Sequence, residues 1–168
     1  MKKTKFCLTG FMGAGKTTVG RALADRLALP FFDLDVEIER GEGRTIPDIF
    51  SVSGEAFFRD LELTYLRRLP ATAVIALGGG TYATRAVRDH ILEQGLAIFL
   101  DWPFDILLAR VAGDPNRPLA VDAARLAALY ARRRPIYLQA DLVWQSYPPH
   151  HESVEDIVAD LAERLPLP

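Results

Sequence analysis

The feature that most constrains this chain is the segment GFMGAGKT, Gly10–Thr17, which reads G-x-x-x-x-G-K-T. A short apolar run ends just before it, and apolar residues recur at helical spacing just after it. A glycine-rich loop between a strand and a helix turns its backbone N–H groups towards a phosphate, and the helix N-terminus adds partial positive charge. The segment therefore predicts a phosphate-binding loop for ATP or GTP.

Each residue type in this loop has an expected task. We expect the side chain of Lys16 to reach the β- and γ-phosphates, and the hydroxyl of Thr17 to ligate Mg²⁺. A glycine-rich turn that caps a strand and binds nothing is the alternative, which the lysine and threonine in register disfavour. The predicted nucleotide-binding residues of the loop are Gly13, Ala14, Gly15, Lys16, Thr17 and Thr18.

Five short apolar runs alternate with helical segments along the chain. This alternation predicts a three-layer α/β/α fold with a five-stranded parallel sheet, and ligands at the carboxyl ends of the strands. At 168 residues the chain is expected to form a single domain, residues 1–168. The predicted strands lie in Phe6–Leu8, Pro30–Asp35, Ala73–Leu77, Leu96–Asp101 and Asp141–Trp144.

Composition and charge exclude few classes of protein but favour an ordinary globular one. The formal charge is −2 and like charges form no block, so neither nucleic acid nor a membrane is an expected partner. A lone cysteine, Cys7, lies in the first apolar run and predicts a buried thiol in a reducing compartment. We predict a cytoplasmic monomer.

His90 is expected on a helix surface and His150 and His151 in a solvated loop, without metal-ligand spacing.

Two aspartates, Asp33 and Asp35, follow the second apolar run. Alternation along a strand would send both carboxylates to the same side, where they face the phosphate loop. One carboxylate would then lie near Mg²⁺, while the other would orient a hydroxyl and accept its proton. The alternative is that Asp35 caps the helix that begins with VEIER.

The segment GEAFFRDLE places Glu55, Phe58, Arg59 and Glu62 on one helical face. A glutamate three residues after an arginine can hold the guanidinium in one orientation. The alternative is an exposed ion pair that contributes only about 0.2–0.5 kcal/mol.

Two further segments are candidates for contacts with a second ligand. The three glycines of LGGGT, residues 77–81, would let a ligand lie against bare backbone, unless they form only a flexible turn. The arginines of ARRRPIY, residues 131–137, suit the last turn of a helix that Pro135 would end. One of them can still turn inward, where two guanidiniums from separate segments would clamp a planar carboxylate.

Six segments, taken in their order along the chain, resemble the shikimate kinases. These segments are GKTTVGRALA, FFDLDVEIE, IPDIFSVSGEAFFRDLE, IALGGG, NRPL and RRRPIYLQAD. The resemblance implies a fold of the nucleoside monophosphate kinase type, with a shikimate-binding region at about 33–62 and a mobile lid at about 112–122. It also implies transfer of the γ-phosphoryl group of ATP to the 3-hydroxyl of shikimate, with Mg²⁺, in chorismate and aromatic amino acid biosynthesis.

The resemblance also assigns expected roles to single residues. Asp35 matches the base that contacts the ring hydroxyls, and Asp33 matches the aspartate near the metal. Arg59 and Arg133 match the pair that grips the carboxylate of shikimate. The glycine turn that contacts the substrate matches Gly78, Gly79 and Gly80, and the aromatic walls of the pocket match Phe50 and Phe58. The lid arginine matches Arg117, and the arginine beside the adenine matches Arg110.

Two other functions remain open from the residues alone. The arginine pair favours an acid substrate but does not choose between two acids, so a different small-acid kinase of the same fold, such as a gluconate kinase, stays open. A nucleotide-binding module without a phosphoryl acceptor would need only the phosphate loop.

Overall fold

A computed structural model of the protein describes residues 4–112 and 122–166. The strands are β1 (Thr4–Thr9), β2 (Phe31–Asp33), β3 (Thr72–Ala76), β4 (Leu96–Asp101) and β5 (Leu142–Gln145). The helices are α1 (Lys16–Leu27), α2 (Leu34–Glu42), α3 (Ile46–Arg68), α4 (Arg85–Gln94), α5 (Phe104–Ala112), α6 (Ala123–Tyr137) and α7 (Val154–Arg164), with a short 3₁₀ turn at Thr81–Ala83.

The five strands form one parallel sheet in the order β2-β3-β1-β4-β5. The chain crosses from β1 to β2 in one direction and makes its later crossovers in the other. Right-handed crossovers therefore place α1 on one face and the helices from α2 to α6 on the other, while α7 packs against α1. The predicted three-layer fold with a parallel sheet is confirmed.

The middle of the sheet is the core of the molecule. Strands β1, β3 and β4 are buried along nearly all their length, as expected for parallel strands covered on both faces. Cys7 lies there with no exposed surface, which confirms the predicted buried thiol, and burial raises the pKa of that thiol to about 12.

The second strand is shorter than the apolar run suggests, and Asp35 therefore lies in a helix and not in the strand. Strand β2 ends at Asp33, and α2 begins at the next residue. Asp33 Oδ1 accepts hydrogen bonds from the backbone N–H groups of Asp35 at 3.2 Å and Val36 at 3.5 Å. The expectation that both aspartates alternate along one strand is wrong, because a carboxylate at the strand end satisfies the free N–H groups of the helix. The capping residue is Asp33 and not Asp35.

The end of α6 also differs from the expectation. The helix continues through Pro135 to Tyr137, so Pro135 does not end it. The ring of Tyr137 is fully buried against that of Phe99 at a centroid distance of 5.2 Å, and its hydroxyl donates to the backbone carbonyl of Gly79. This burial stabilises the last turn despite the backbone N–H that proline lacks.

The lid predicted at about 112–122 falls mostly on residues 113–121, which lie outside the described residues, and Arg117 lies there too. None of the helices in the described ranges combines the length and the apolar composition needed to cross a membrane.

Candidate active site

The phosphate loop joins the carboxyl end of β1 to α1, as predicted. Gly13 and Gly15 have φ of 81° and 84°, a region that side chains other than glycine rarely adopt. Lys16 is the first residue of α1, and its Nζ donates to the carbonyls of Gly10 at 2.9 Å and Phe11 at 3.1 Å. The loop is therefore curled around its lysine, with the backbone conformation that a phosphate cradle requires.

The first turn of α1 and the carboxyl end of β2 meet at Thr17 and Asp33. The hydroxyl of Thr17 donates to Asp33 Oδ2 at 2.8 Å. A hydroxyl and a carboxylate are the hard oxygen ligands that Mg²⁺ prefers, and Mg²⁺ usually takes few protein ligands because water and substrate phosphates supply the rest. The pair thus fits the predicted magnesium site. Within the described residues, histidine, cysteine and carboxylate side chains form no group of three or more that could hold a metal ion.

Asp35 lies in the first turn of α2 and is half-buried. Within the described residues its Oδ1 has no hydrogen-bond partner. Burial, followed by the negative charges of Asp33 and Glu62, raises the pKa of Asp35 to about 6, although the charge of Lys16 opposes this shift. A carboxylate of this kind can take up a proton near neutral pH, which suits a general base.

The guanidinium of Arg59 is held by two glutamates on α3. Its Nη1 donates to Glu62 Oε2 at 2.8 Å, and its Nη2 donates to Glu55 Oε1 at 3.1 Å. Glu62 has no exposed surface and also accepts from the hydroxyl of Thr81. An ion pair with such a partner has a defined geometry, so the alternative of a merely exposed pair is wrong for Arg59 and Glu62.

A second guanidinium, that of Arg133 on α6, meets Arg59 at the glycine turn. A methyl group placed on Gly80 would lie 2.6 Å from Arg59 Nη2 and 3.0 Å from Arg133 Nη2. On Gly78 it would lie 2.9 Å from Asp35 Oδ1. A side chain at either glycine would therefore force these groups to move, so the turn lies in direct contact with the side chains of the site.

One cavity of about 670 Å³ joins the phosphate loop to the glycine turn. Arg59, Phe50 and Phe58 are not among its lining residues, although Arg59 reaches Gly80 at its edge. The rings of Phe50 and Phe58 pack on each other at a centroid distance of 4.7 Å. The cavity is lined by Met12, Gly13, Gly15, Lys16, Thr17, Thr18, Asp33, Asp35, Val36, Leu77, Gly78, Gly79, Gly80 and Arg133.

Two further arginines, Arg110 and Arg134, are also held by defined partners. Arg110 Nη1 donates to the carbonyl of Gly13 at 3.1 Å, and its guanidinium lies 3.9 Å from the ring centre of Trp102. Arg134 makes two hydrogen bonds to the buried carboxylate of Asp101, at 2.9 Å and 2.7 Å. Two arginines of the ARRRPIY segment therefore turn inward, since Arg133 does so as well.

Several structural partners of the site were missed by the sequence reasoning. Tyr137 holds the glycine turn through the carbonyl of Gly79, and Thr81 holds Glu62. Met12 and Val36 line the cavity. No local pattern distinguishes these residues from core or surface residues, because their contacts come from segments far apart in the chain.

The histidines differ in part from their expected surroundings. His90 is half-buried rather than on the surface of α4, and His150 Nδ1 lies 2.7 Å from Ser146 Oγ. His151 is exposed, as predicted.

The parallel sheet, the phosphate loop and the cavity beside Lys16 define a P-loop kinase of the nucleoside monophosphate kinase type. A sequence profile described as shikimate kinase matches residues 12–165. The chain belongs to the shikimate kinase family and is an ATP-dependent phosphotransferase. This assignment favours the shikimate kinase reading over a gluconate kinase or a non-catalytic module.

Individual relatives agree with the family assignment. A shikimate kinase from Rhodopseudomonas palustris is 43% identical over 164 residues, which cover 94% of this chain and 81% of that protein. A shikimate kinase from Acinetobacter baumannii, solved in complex with shikimate, has a TM-score of 0.83 at 34% identity and covers 95% and 91% of the two chains. A gluconokinase from Sinorhizobium meliloti shares the fold alone. It is 19% identical, has a TM-score of 0.57, and the match covers 97% of this chain and 94% of that one.

Proposed function

We propose that the cavity between Lys16 and the glycine turn is where this chain transfers the γ-phosphoryl group of ATP to the 3-hydroxyl of shikimate. One observation carries this proposal: the guanidiniums of Arg59 and Arg133 converge on Gly80, in the same cavity region as the carboxylate of Asp35. An acceptor that has a carboxylate at one end and hydroxyls at the other matches these two kinds of group.

The two arginines would hold the carboxylate of shikimate. Two guanidiniums from separate helices can each donate to a carboxylate oxygen, and such charge-assisted hydrogen bonds are about twice as strong as neutral ones. Glu62 and Glu55 fix Arg59 before the substrate arrives, so little side-chain freedom is lost on binding. Gly78, Gly79 and Gly80 would let the ring lie against backbone, and Phe50 and Phe58 would support its apolar face.

Asp35 would act as the base on the acceptor hydroxyl. As the hydroxyl oxygen forms its bond to the γ-phosphorus, the bond from that phosphorus to the β–γ bridging oxygen breaks, and the hydroxyl proton passes to Asp35. ADP leaves with the bridging oxygen. A pKa of about 6 keeps the carboxylate ionised at neutral pH while allowing it to accept the proton.

The charge that spreads over the phosphoryl oxygens needs positive partners. Lys16 is the first residue of α1 and would face these oxygens, and the backbone N–H groups of Gly13, Ala14, Gly15, Thr17 and Thr18 would bind the phosphates. Thr17 and Asp33 would hold Mg²⁺, which neutralises phosphate charge when it is bound.

The remaining predictions complete the proposal. A lid at about 112–122 would bring the positive charge of Arg117 close to the phosphates, and Arg110 would lie beside the adenine. We propose one domain over residues 1–168 with a shikimate-binding region at about 33–62, acting as a cytoplasmic monomer without nucleic-acid or membrane partners.

The direct test is ADP release by the purified protein in a coupled assay. Shikimate should support ADP release with ATP and Mg²⁺, whereas gluconate and nucleoside monophosphates should not. Equal rates with gluconate would contradict the proposed acceptor, and ATP binding without release with any acceptor would favour a binding module.

A further inference from the structure

A second cavity lies at the opposite end of the sheet from the phosphate loop. Its volume is about 450 Å³, and we call it the basic cleft. It lies where β1, β3 and β4 begin, between the C-terminal ends of α3 and α4. The basic cleft is lined by Lys5, Arg67, Leu69, Ala71, His90 and Gln94.

Two basic side chains, those of Lys5 and Arg67, line this cleft, and burial lowers the pKa of Lys5 although Cys7 opposes the shift. Lys5 is only 5% exposed, and its Nζ donates to the carbonyls of Leu66 at 3.2 Å and Leu69 at 3.1 Å. An ammonium group has three N–H bonds, so a third donor remains after the end of α3 is satisfied. Arg67 makes no ion pair with any described residue, and within residues 4–112 and 122–166 no carboxylate lines the cleft.

His90 is a third basic side chain in the same cleft. Its Nε2 is enclosed and has no hydrogen-bond partner in the described part of the chain. Burial, and then the charges of Lys5 and Arg67, lower the pKa of His90, while Glu93 opposes the shift. A buried polar atom without a partner is costly, and it indicates a bound water or ligand.

We propose that the basic cleft binds a phosphate group, as an anion site separate from the phosphate loop. Two cations match the charge of a phosphate dianion, and the guanidinium of Arg67 can donate two parallel hydrogen bonds to it. Lys5 and His90 donate from the buried side, and the amide of Gln94 lies at the rim. Leu69 and Ala71 provide an apolar wall for a small organic group attached to the phosphate.

The test follows the imidazole signals of the three histidines by NMR during titration with inorganic phosphate at constant ionic strength. The His90 signal, assigned with His90→Gln, should shift and saturate. Phosphate also binds P-loops, so the titration is repeated with Lys16→Met, in which the His90 shift should persist. Loss of the shift in Lys16→Met would overturn the proposal, since the signal would then report the phosphate loop.

Neighbouring arginines supply matched variants. Arg67→Gln should weaken phosphate binding at His90 about tenfold or more, because a charge-assisted contact is removed. Arg68→Gln changes an exposed arginine that stacks on Tyr65, and it should leave the titration unchanged. Both side chains are exposed, so both proteins should fold and retain kcat without added phosphate. No saturable shift, an equal shift with sodium chloride, or equal affinity in Arg67→Gln would each overturn the proposal.

Discussion

Replacing Asp35 by asparagine should abolish turnover and yet stabilise the fold. The amide cannot accept the proton of the acceptor hydroxyl, so phosphoryl transfer should fall by about 100-fold or more. ATP binding should change little, because Asp35 is not part of the phosphate loop. An ordinary structural aspartate would show the reverse, since its removal would leave activity and cost stability.

The size of the stability gain follows from the pKa of Asp35. Folding raises this pKa from 3.8 to about 6, so the native state binds the proton more tightly than the unfolded chain does. The carboxylate therefore lowers the free energy of unfolding as the pH rises from about 4 through about 6. One pKa unit corresponds to about 1.4 kcal/mol, which gives about 3 kcal/mol at pH 7 as an upper bound. Partial exposure of Asp35 reduces the expected gain to about 1–3 kcal/mol.

Urea unfolding of the wild type and of Asp35→Asn between pH 4 and pH 8 measures this difference. Near pH 4 the free energy of unfolding of the variant should equal that of the wild type. It should exceed the wild-type value increasingly as the pH rises to about 6, and by a constant amount above that pH. Asp25→Asn, an exposed aspartate on α1, is the control and should show no such step.

Kinetics on the same proteins complete the test. In the wild type, kcat/KM for shikimate should fall as the pH drops below about 6, because Asp35 becomes protonated. Wild-type kcat in Asp35→Asn, or a variant less stable than the wild type at pH 7, would refute the reasoning that Asp35 is a buried, charged base.

Three further outcomes are expected from steady-state kinetics. Arg59→Ala and Arg133→Ala should each raise the KM for shikimate roughly 10- to 150-fold, because a charge-assisted hydrogen bond contributes about 1.5–3 kcal/mol. The control is Arg132→Ala, which changes an exposed arginine and should leave this KM unchanged. Gly80→Ala should raise the same KM and leave the KM for ATP unchanged, because its methyl group would lie 2.6 Å from Arg59 Nη2; an unaltered shikimate KM would argue against the arginine pair. Lys16→Met should lose phosphoryl transfer, and an active Lys16→Met protein would mean that the role given to Lys16 and its loop is wrong.

Local features of this protein could be predicted well. The phosphate loop is a run of adjacent residues whose glycines, lysine and threonine act together, so its place between β1 and α1 follows from order alone. The five apolar runs likewise led to the parallel sheet, because strands that are buried on both faces need continuous apolar sequence. The errors at Asp35 and Pro135 arose where capping and burial decided the ends of helices.

The chain order by itself determined the phosphate loop, the alternation of strands and helices, and the family resemblance, since these depend on neighbouring residues. Tertiary structure alone decided that Arg59 on α3 and Arg133 on α6 meet at Gly80, and that Tyr137 holds Gly79. It also decided the raised pKa of Asp35, which depends on burial and on charges from other elements. Such contacts join segments far apart in the chain, and their geometry exists only once the sheet and helices have packed.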